Sequence, residues 1–133
     1  MKKLLPFLLA LMLLSGCGAP AGAGKAEAGY RQITAAEAAD LMETEENYVI
    51  LDVRTREEYE GGHIPGAICI PNETIGSEEI PKLPDKRQLI LVYCRSGNRS
   101  KQASSKLAAL GYTGIVEFGG IIDWQGETVS GDE

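Results

Sequence analysis

Basic residues are scarce in this 133-residue chain: 13 Lys and Arg face 19 Asp and Glu, for a formal charge of −6. That balance removes the basic surface that general nucleic-acid binding needs, so no nucleic-acid partner is expected. Cysteine is sparse too, and three are too few for a disulfide scaffold. Histidine occurs once, at His63. Long apolar runs are missing: Leu4 to Leu14 spans about eleven residues, short of the roughly 20 that a membrane-crossing helix requires. No internal repeat is visible, and the length admits one ordinary domain but not two. What is present, 44% hydrophobic against 24% charged residues, is the balance of a globular chain rather than a disordered one. A small monomer is the default expectation.

The first residues stand apart from that body. Met1-Lys2-Lys3 is a positive start, Leu4 to Leu14 an apolar run broken only by Pro6, and Leu14-Ser15-Gly16-Cys17 a small-residue close, which together read as a secretion signal over residues 1–16. The segment resembles a bacterial lipoprotein signal peptide, with Leu14-Ser15-Gly16-Cys17 matching the lipobox. That resemblance implies cleavage before Cys17, lipidation of its thiol, and an extracytoplasmic protein anchored by lipid on the periplasmic or outer side of a bacterial membrane. The mature chain would keep 11 basic and 19 acidic residues, a charge of −8, so attachment would rest on the acyl chains. Residues 17–29 read as a flexible tether that starts at the lipidated cysteine, since Gly18 to Gly29 hold only Gly, Ala, Pro, Lys and Glu without apolar periodicity. The folded domain is expected over 30–129, and residues 130–133 form a short acidic tail.

Within the domain, Thr34-Ala-Ala-Glu37 is a capping box that predicts a helix over Ala35 to Glu43, and Thr55-Arg-Glu-Glu58 is a second one, stopped by Gly61-Gly62. Directly before it, Tyr48 to Val53 is almost wholly apolar, the pattern of a strand buried on both faces. Ala67 to Ile70, fenced by prolines, is a short strand candidate; Gln88 to Tyr93 is a longer one, and Gly114 to Phe118 a last one. Ser100 to Leu110 reads as a helix ending at Gly111, with Ala103, Leu107 and Leu110 spaced to share a face. Strands alternating with helices, most of them too apolar to have a wet side, predict an α/β fold with a parallel sheet covered on both faces.

In such sheets, sites form beyond the carboxyl ends of strands, where helix starts offer unpaired amides. Cys94-Arg-Ser-Gly-Asn-Arg-Ser100 lies between an apolar strand and a helix. Gly97 lets successive amides turn inward, so the loop can cradle one anion. A thiol at its base would have its thiolate favoured by those amides, by the helix start, and by Arg95 and Arg99, making Cys94 a nucleophile near neutral pH.

Three stretches of the domain resemble the rhodanese-like sulfurtransferases: Asp52-Val-Arg54 with Glu57-Glu-Tyr59 and Gly62-His-Ile-Pro-Gly-Ala67; the loop from Cys94 to Ser100; and Phe118-Gly-Gly120 with Asp123-Trp124. The resemblance implies a three-layer fold with a central five-stranded parallel sheet, and no metal or organic cofactor. It also implies a cycle in which Cys94 takes a sulfane sulfur from a small anionic donor such as thiosulfate and passes it to a thiophilic acceptor such as cyanide or a thiol. The loop residues Arg95, Ser96, Gly97, Asn98 and Arg99 would hold the persulfide, and Asp52 with Arg54 would be a supporting pair beside them.

The remaining reactive residues read more plainly. His63 is expected to make a structural hydrogen bond at the turn before Ile64-Pro-Gly66, and Trp124 to pack the C-terminal segment. Cys69 is expected as a small buried hydrophobe, or else as a resolving thiol for Cys94. A phosphatase of the Cys-x5-Arg type would place its arginine at position 100, which is Ser; here it falls at Arg99, leaving the loop one residue short. A persulfide or thiol redox carrier is compatible with the same residues. So is a non-catalytic docking module, though retention of the loop cysteine disfavours it.

Overall fold

The computed structural model describes Ala26–Glu27 and residues 29–132. The expected signal segment, Cys17 and most of the tether lie outside the described residues. Element order is β1 (Ala26–Glu27), β2 (Tyr30–Gln32), α1 (Ala35–Thr44), β3 (Tyr48–Asp52), α2 (Arg56–Gly61), β4 (Ile68–Cys69), β5 (Leu89–Cys94), α3 (Asn98–Ala109) and β6 (Gly114–Gly120). Short 3-10 turns cover Asn72–Thr74 and Ile121–Asp123. The strands form one sheet in the order β1-β2-β6-β5-β3-β4. Five of them are parallel, as expected, and β1 adds an antiparallel edge through Ala26 opposite Arg31. Sheet pairing thus begins inside the stretch read as tether.

Both capping boxes form. The Thr34 hydroxyl accepts the Glu37 amide at 3.1 Å while the Glu37 carboxylate accepts the Thr34 amide at 2.9 Å, and Thr55 with Glu58 repeats the arrangement at the start of α2. Reciprocal satisfaction of two amides explains why each helix begins there.

The apolar strands bury both faces. Along β5, Ile90, Val92 and Cys94 pack with Ala103 and Leu107 of α3, whereas Leu91 and Tyr93 pack with Ala38 of α1 and Tyr59 of α2. The two-residue period of a strand sends alternate side chains to opposite layers, giving the three-layer sandwich. Leu110 completes the α3 stripe only at its edge, half-buried against the same layer. His63 is fully buried, stacks on Tyr59 with ring centroids 3.7 Å apart, and places Nδ1 2.7 Å from the Tyr59 carbonyl. Its backbone bridges Val129, tying the C-terminal segment to the turn before Ile64. Trp124 is half-buried at 6.3 Å from the Phe118 ring and donates its indole N–H to the Glu127 carbonyl at 3.0 Å. His63 thus makes the structural hydrogen bond expected of it, and Trp124 takes the packing position expected of it.

Candidate active site

The carboxyl ends of β3, β5 and β6 meet at one edge, and the turn from β5 into α3 lies at their centre. Cys94 is the last residue of β5 and is 1% exposed. Its Sγ accepts the Gly97 amide at 3.0 Å and lies 3.4 Å from the Ser100 hydroxyl oxygen. Gly97 is the N-cap of α3 with φ +112°, a conformation that disfavours any side chain, and it provides no side-chain cap. The donors at the start of α3 are therefore left for something other than a capping side chain.

Beneath the loop, β6 carries an irregularity. Val92 pairs with Glu117 but Cys94 pairs with Gly120, so β6 holds one extra residue against β5. Such a bulge re-aims side chains. Gly120 passes under the loop so closely that a Cβ there would lie 1.9 Å from the Arg95 carbonyl oxygen. The Phe118-Gly-Gly120 stretch is thus a matched surface for the loop, and any side chain at Gly120 would push it away.

The charged residues sort into two groups. Arg95 is exposed and forms no ion pair among the described residues. Arg99 makes a bidentate pair with Glu58, Nη1 to Oε1 at 2.7 Å and Nη2 to Oε2 at 3.0 Å. The Arg99 hydrogen bonds hold the Glu58 carboxyl down to about 2, and Glu58 in turn raises Arg99 above its ordinary value. Arg99 therefore meets the loop with its charge already matched by Glu58. Asp52 and Arg54 form a buried fork: Arg54 Nη2 donates to Oδ2 at 2.6 Å and Nε to Oδ1 at 3.0 Å. Arg54 Nη2 also holds the Gly62 carbonyl at 2.7 Å. Burial opposes the Arg54 charge, and the Asp52 carboxylate outweighs it, so the guanidinium titrates above its usual value. This pair braces the β3 to α2 turn. Arg54 and Arg95 also line one cleft of about 380 Å3 together with Glu57, Glu58 and Ile121. Ser96 and Asn98 are placed in the same loop, Asn98 exposed on its rim.

A family profile for the rhodanese-like domain matches residues 34–127. The chain belongs to the rhodanese-like family. Among characterised relatives, it is 38% identical over 73 residues to the thiosulfate sulfurtransferase PspE of Escherichia coli, covering 55% of this chain and 70% of that protein. It is 34% identical over 110 residues to the probable adenylyltransferase/sulfurtransferase MoeZ of Mycobacterium tuberculosis, covering 81% of this chain but only 28% of the longer relative. Among solved structures, a rhodanese from E. coli with bound anions superposes with a TM-score of 0.58 at 38% identity, covering 63% of this chain and 99% of that one. A rhodanese-like domain from Anabaena superposes with a TM-score of 0.68 at 30% identity, covering 76% and 80%.

Within this rhodanese-like domain, the sequence motifs converge unevenly. Cys94, Gly97 and Ser100 come together at the loop floor; Asp52 and Arg54 sit one strand away on the other face, beside Tyr93 rather than the thiol. Burial, then the Asp52 carboxylate, pushes the Tyr93 hydroxyl far above its ordinary value. Cys69 ends β4, and Asp52 of β3 pairs with both Cys69 and Tyr93. The two cysteines are thus two strands apart, about 10 Å at the usual strand spacing, and they face opposite layers. A disulfide needs Cα atoms within about 7 Å, so Cys69 is no direct resolving thiol for Cys94 in this fold. Burial and then Asp52 raise the Cys69 thiol above its ordinary value, the behaviour of an inert core cysteine. A larger cavity of about 620 Å3 opens beside Cys69, Thr74 and Lys82, and none of its lining residues comes from the Cys94 loop.

Two residues of the site escaped the sequence reading as functional groups. Glu58 looked complete as a cap, and its second role toward Arg99 needs the approach of α2 to α3. Glu117 is a carboxylate in an otherwise apolar strand and is only 2% exposed. A charge in a run that must be buried was the available signal.

Proposed function

We propose that this domain is a sulfurtransferase that moves a sulfane sulfur from thiosulfate or a related anionic donor to a thiophilic acceptor through a Cys94 persulfide. The observation that carries this reading is the placement of Cys94 Sγ at the floor of an uncapped helix start, accepting the Gly97 amide at 3.0 Å. A thiolate there is stabilised by an oriented N–H and by the helix dipole. It attacks the outer sulfur of thiosulfate; the S–S bond breaks with its electron pair on departing sulfite, leaving Cys94 as a persulfide anion. Cyanide or a thiolate then attacks the terminal sulfur and Cys94 leaves as thiolate, closing the cycle with no change in total charge. Amides of Arg95 to Arg99 supply preorganised donors to the terminal sulfur, as an oxyanion hole does to oxygen. Exposed Arg95 gathers the anionic donor, while Arg99 stays on Glu58. The relatives named thiosulfate sulfurtransferase support the same chemistry.

Thiocyanate formation from thiosulfate and cyanide tests the proposal, with Cys94→Ser as control. Activity abolished by that substitution is the expected result; a folded, reduced protein without activity would reject thiosulfate as donor. Lipidation at Cys17, and with it the extracytoplasmic location, belongs to the same proposal and rests on the lipobox in the sequence. Cys17→Ser should shift the protein out of the membrane fraction.

A further inference from the structure

Among the described residues, Glu117 is the buried carboxylate that touches the thiol's own partner. Its Oε2 accepts the Ser100 hydroxyl at 2.5 Å and the Gly119 amide at 2.8 Å. Ser100 Oγ lies within reach of three other atoms: the Gly97 carbonyl at 3.0 Å, the Gly119 carbonyl at 3.3 Å and Cys94 Sγ at 3.4 Å. A hydroxyl has one proton, and the carboxylate contact is the shortest of the four and the charge-assisted one. The Ser100 proton therefore sits toward Glu117, and the Oγ lone pairs are turned toward the thiol. The order of donors is Cys94 S–H to Ser100 Oγ, and Ser100 O–H to Glu117 Oε2.

From this order we infer that Glu117 is a positioning residue for the sulfur-transfer step, setting the ionisation of Cys94 through Ser100. The S–H bond breaks as a new Oγ–H bond forms, while the old Oγ–H bond breaks as Oε2–H forms. No electrons are gained or lost. A negative charge moves from Glu117 to the sulfur, where the Gly97 amide already points. The proton stays on Glu117 while the persulfide stands, so the loop never faces a second buried anion below it. The β6 bulge is what makes the relay: it brings the Gly119 amide back to Oε2 and leaves Glu117 beneath Ser100.

Other ionisable groups surround the pair. Arg99 of α3 lies near enough for Cys94 to raise its titration and is matched by Glu58 of α2, with exposed Glu73 of the 3-10 turn farther out. Arg95 is exposed in the loop, and Tyr30 of β2 lies in the same apolar layer as Cys94. Asp52, Arg54 and Tyr93 belong to the opposite face.

The inference rests on Cys94 as nucleophile but not on its sulfur donor, and alkylation separates the two. The full-length chain is treated with iodoacetamide across a pH series, and modification of Cys94 is followed by mass spectrometry on the tryptic peptide of residues 88–95. Glu117→Gln keeps shape and both hydrogen bonds but cannot take the proton. The expected result is an alkylation profile displaced toward alkaline pH by about one unit, with about a tenfold slower reaction at neutral pH. Ser100→Ala, which removes one oxygen and leaves Glu117 in place, should move the profile the same way. A carboxylate that acted only through its charge would give the reverse for Glu117→Gln, because neutralising it would favour the thiolate. An acid displacement or an unmoved profile in a variant with a cooperative melt overturns the inference; if Glu117→Gln does not fold, Ser100→Ala decides alone. Normal alkylation profiles in a chain that transfers no sulfur would count against the proposed function instead.

Discussion

Two turns of this domain share a topology and differ in what they leave unsatisfied. In each, a buried parallel strand ends at the same sheet edge and passes within a few residues into a helix: β3 into α2, and β5 into α3. The first turn closes on itself. Thr55 and Glu58 cap the helix, and Asp52 neutralises Arg54. The second stays open, with Gly97 where a capping side chain would stand and its own amide given to the Cys94 thiol. Topology is alike in both, while α2 has 6 residues and α3 has 12, so the helix start that is both longer and not capped from within is the one left open to a ligand. The closed turn also serves the open one, because Glu58 reaches across to fix Arg99.

Breaking the closed turn should have the largest effect on stability. Asp52→Asn leaves Arg54 buried without its counter-charge, a loss of about 3–5 kcal/mol for a pair of this kind. Urea unfolding would register it as a lower midpoint, and a midpoint within experimental error of the parent would mean that the fork does not brace the turn.

Filling the open turn should strike activity more than stability. Gly97→Asp puts a carboxylate at the N-cap, where it competes for the amides and repels an anionic donor. Loss of such donors costs about 100-fold or more in rate. Thiosulfate turnover against the thermal melt is the measurement: a collapse of turnover with a persistent cooperative melt is expected, although the positive φ at this position will lower the melting temperature. Undiminished turnover would show that the amides of this helix start are not used.

The bridge between the turns gives a smaller, pH-dependent effect. Glu58 titrates at about 2 instead of the ordinary 4.5, so its folded value is depressed. The stability it contributes is fully present above about 4.5 and is lost as pH falls toward about 2. Glu58→Gln should be less stable at neutral pH and lose less on acidification over that window. Parallel acid limbs for parent and variant would contradict the assignment.

The contrast between the turns also explains what could be read from the sequence. Capping boxes are local, and both helix starts they announce are where Thr34 and Thr55 put them. Apolar runs located β3 and β5 to within a residue or two, because a strand buried on both faces has little polar content. The open turn was harder: α3 begins at Asn98, two residues before the expected Ser100, since a glycine start announces itself weakly. β2, three residues of Tyr, Arg and Gln, carries no apolar pattern and is a strand only through pairing with its neighbours. Glu58 with Arg99 and Glu117 with Ser100 join positions 41 and 17 residues apart, contacts that no local pattern encodes.

The smallest effect is expected from Cys69, and it tests whether the open turn works alone. Cys69 and Cys94 both end strands at the same carboxyl edge of the sheet, which makes a shared redox role attractive on sequence grounds. Register removes it: β3 runs between them, and their sulfurs belong to different layers. Direct attack of one thiol on a persulfide held by the other would require β4 to leave the sheet edge, breaking its two paired positions with β3, and to carry Cys69 past β3 into the other layer. Cys69→Ser should therefore retain thiosulfate turnover, with only the modest stability loss of a hydroxyl in an apolar layer, about 1–3 kcal/mol if it finds no partner. A turnover loss exceeding that of the folded fraction, or a trapped Cys69 to Cys94 disulfide under mild oxidation, would mean that the sheet edge opens far enough for the two turns to exchange sulfur.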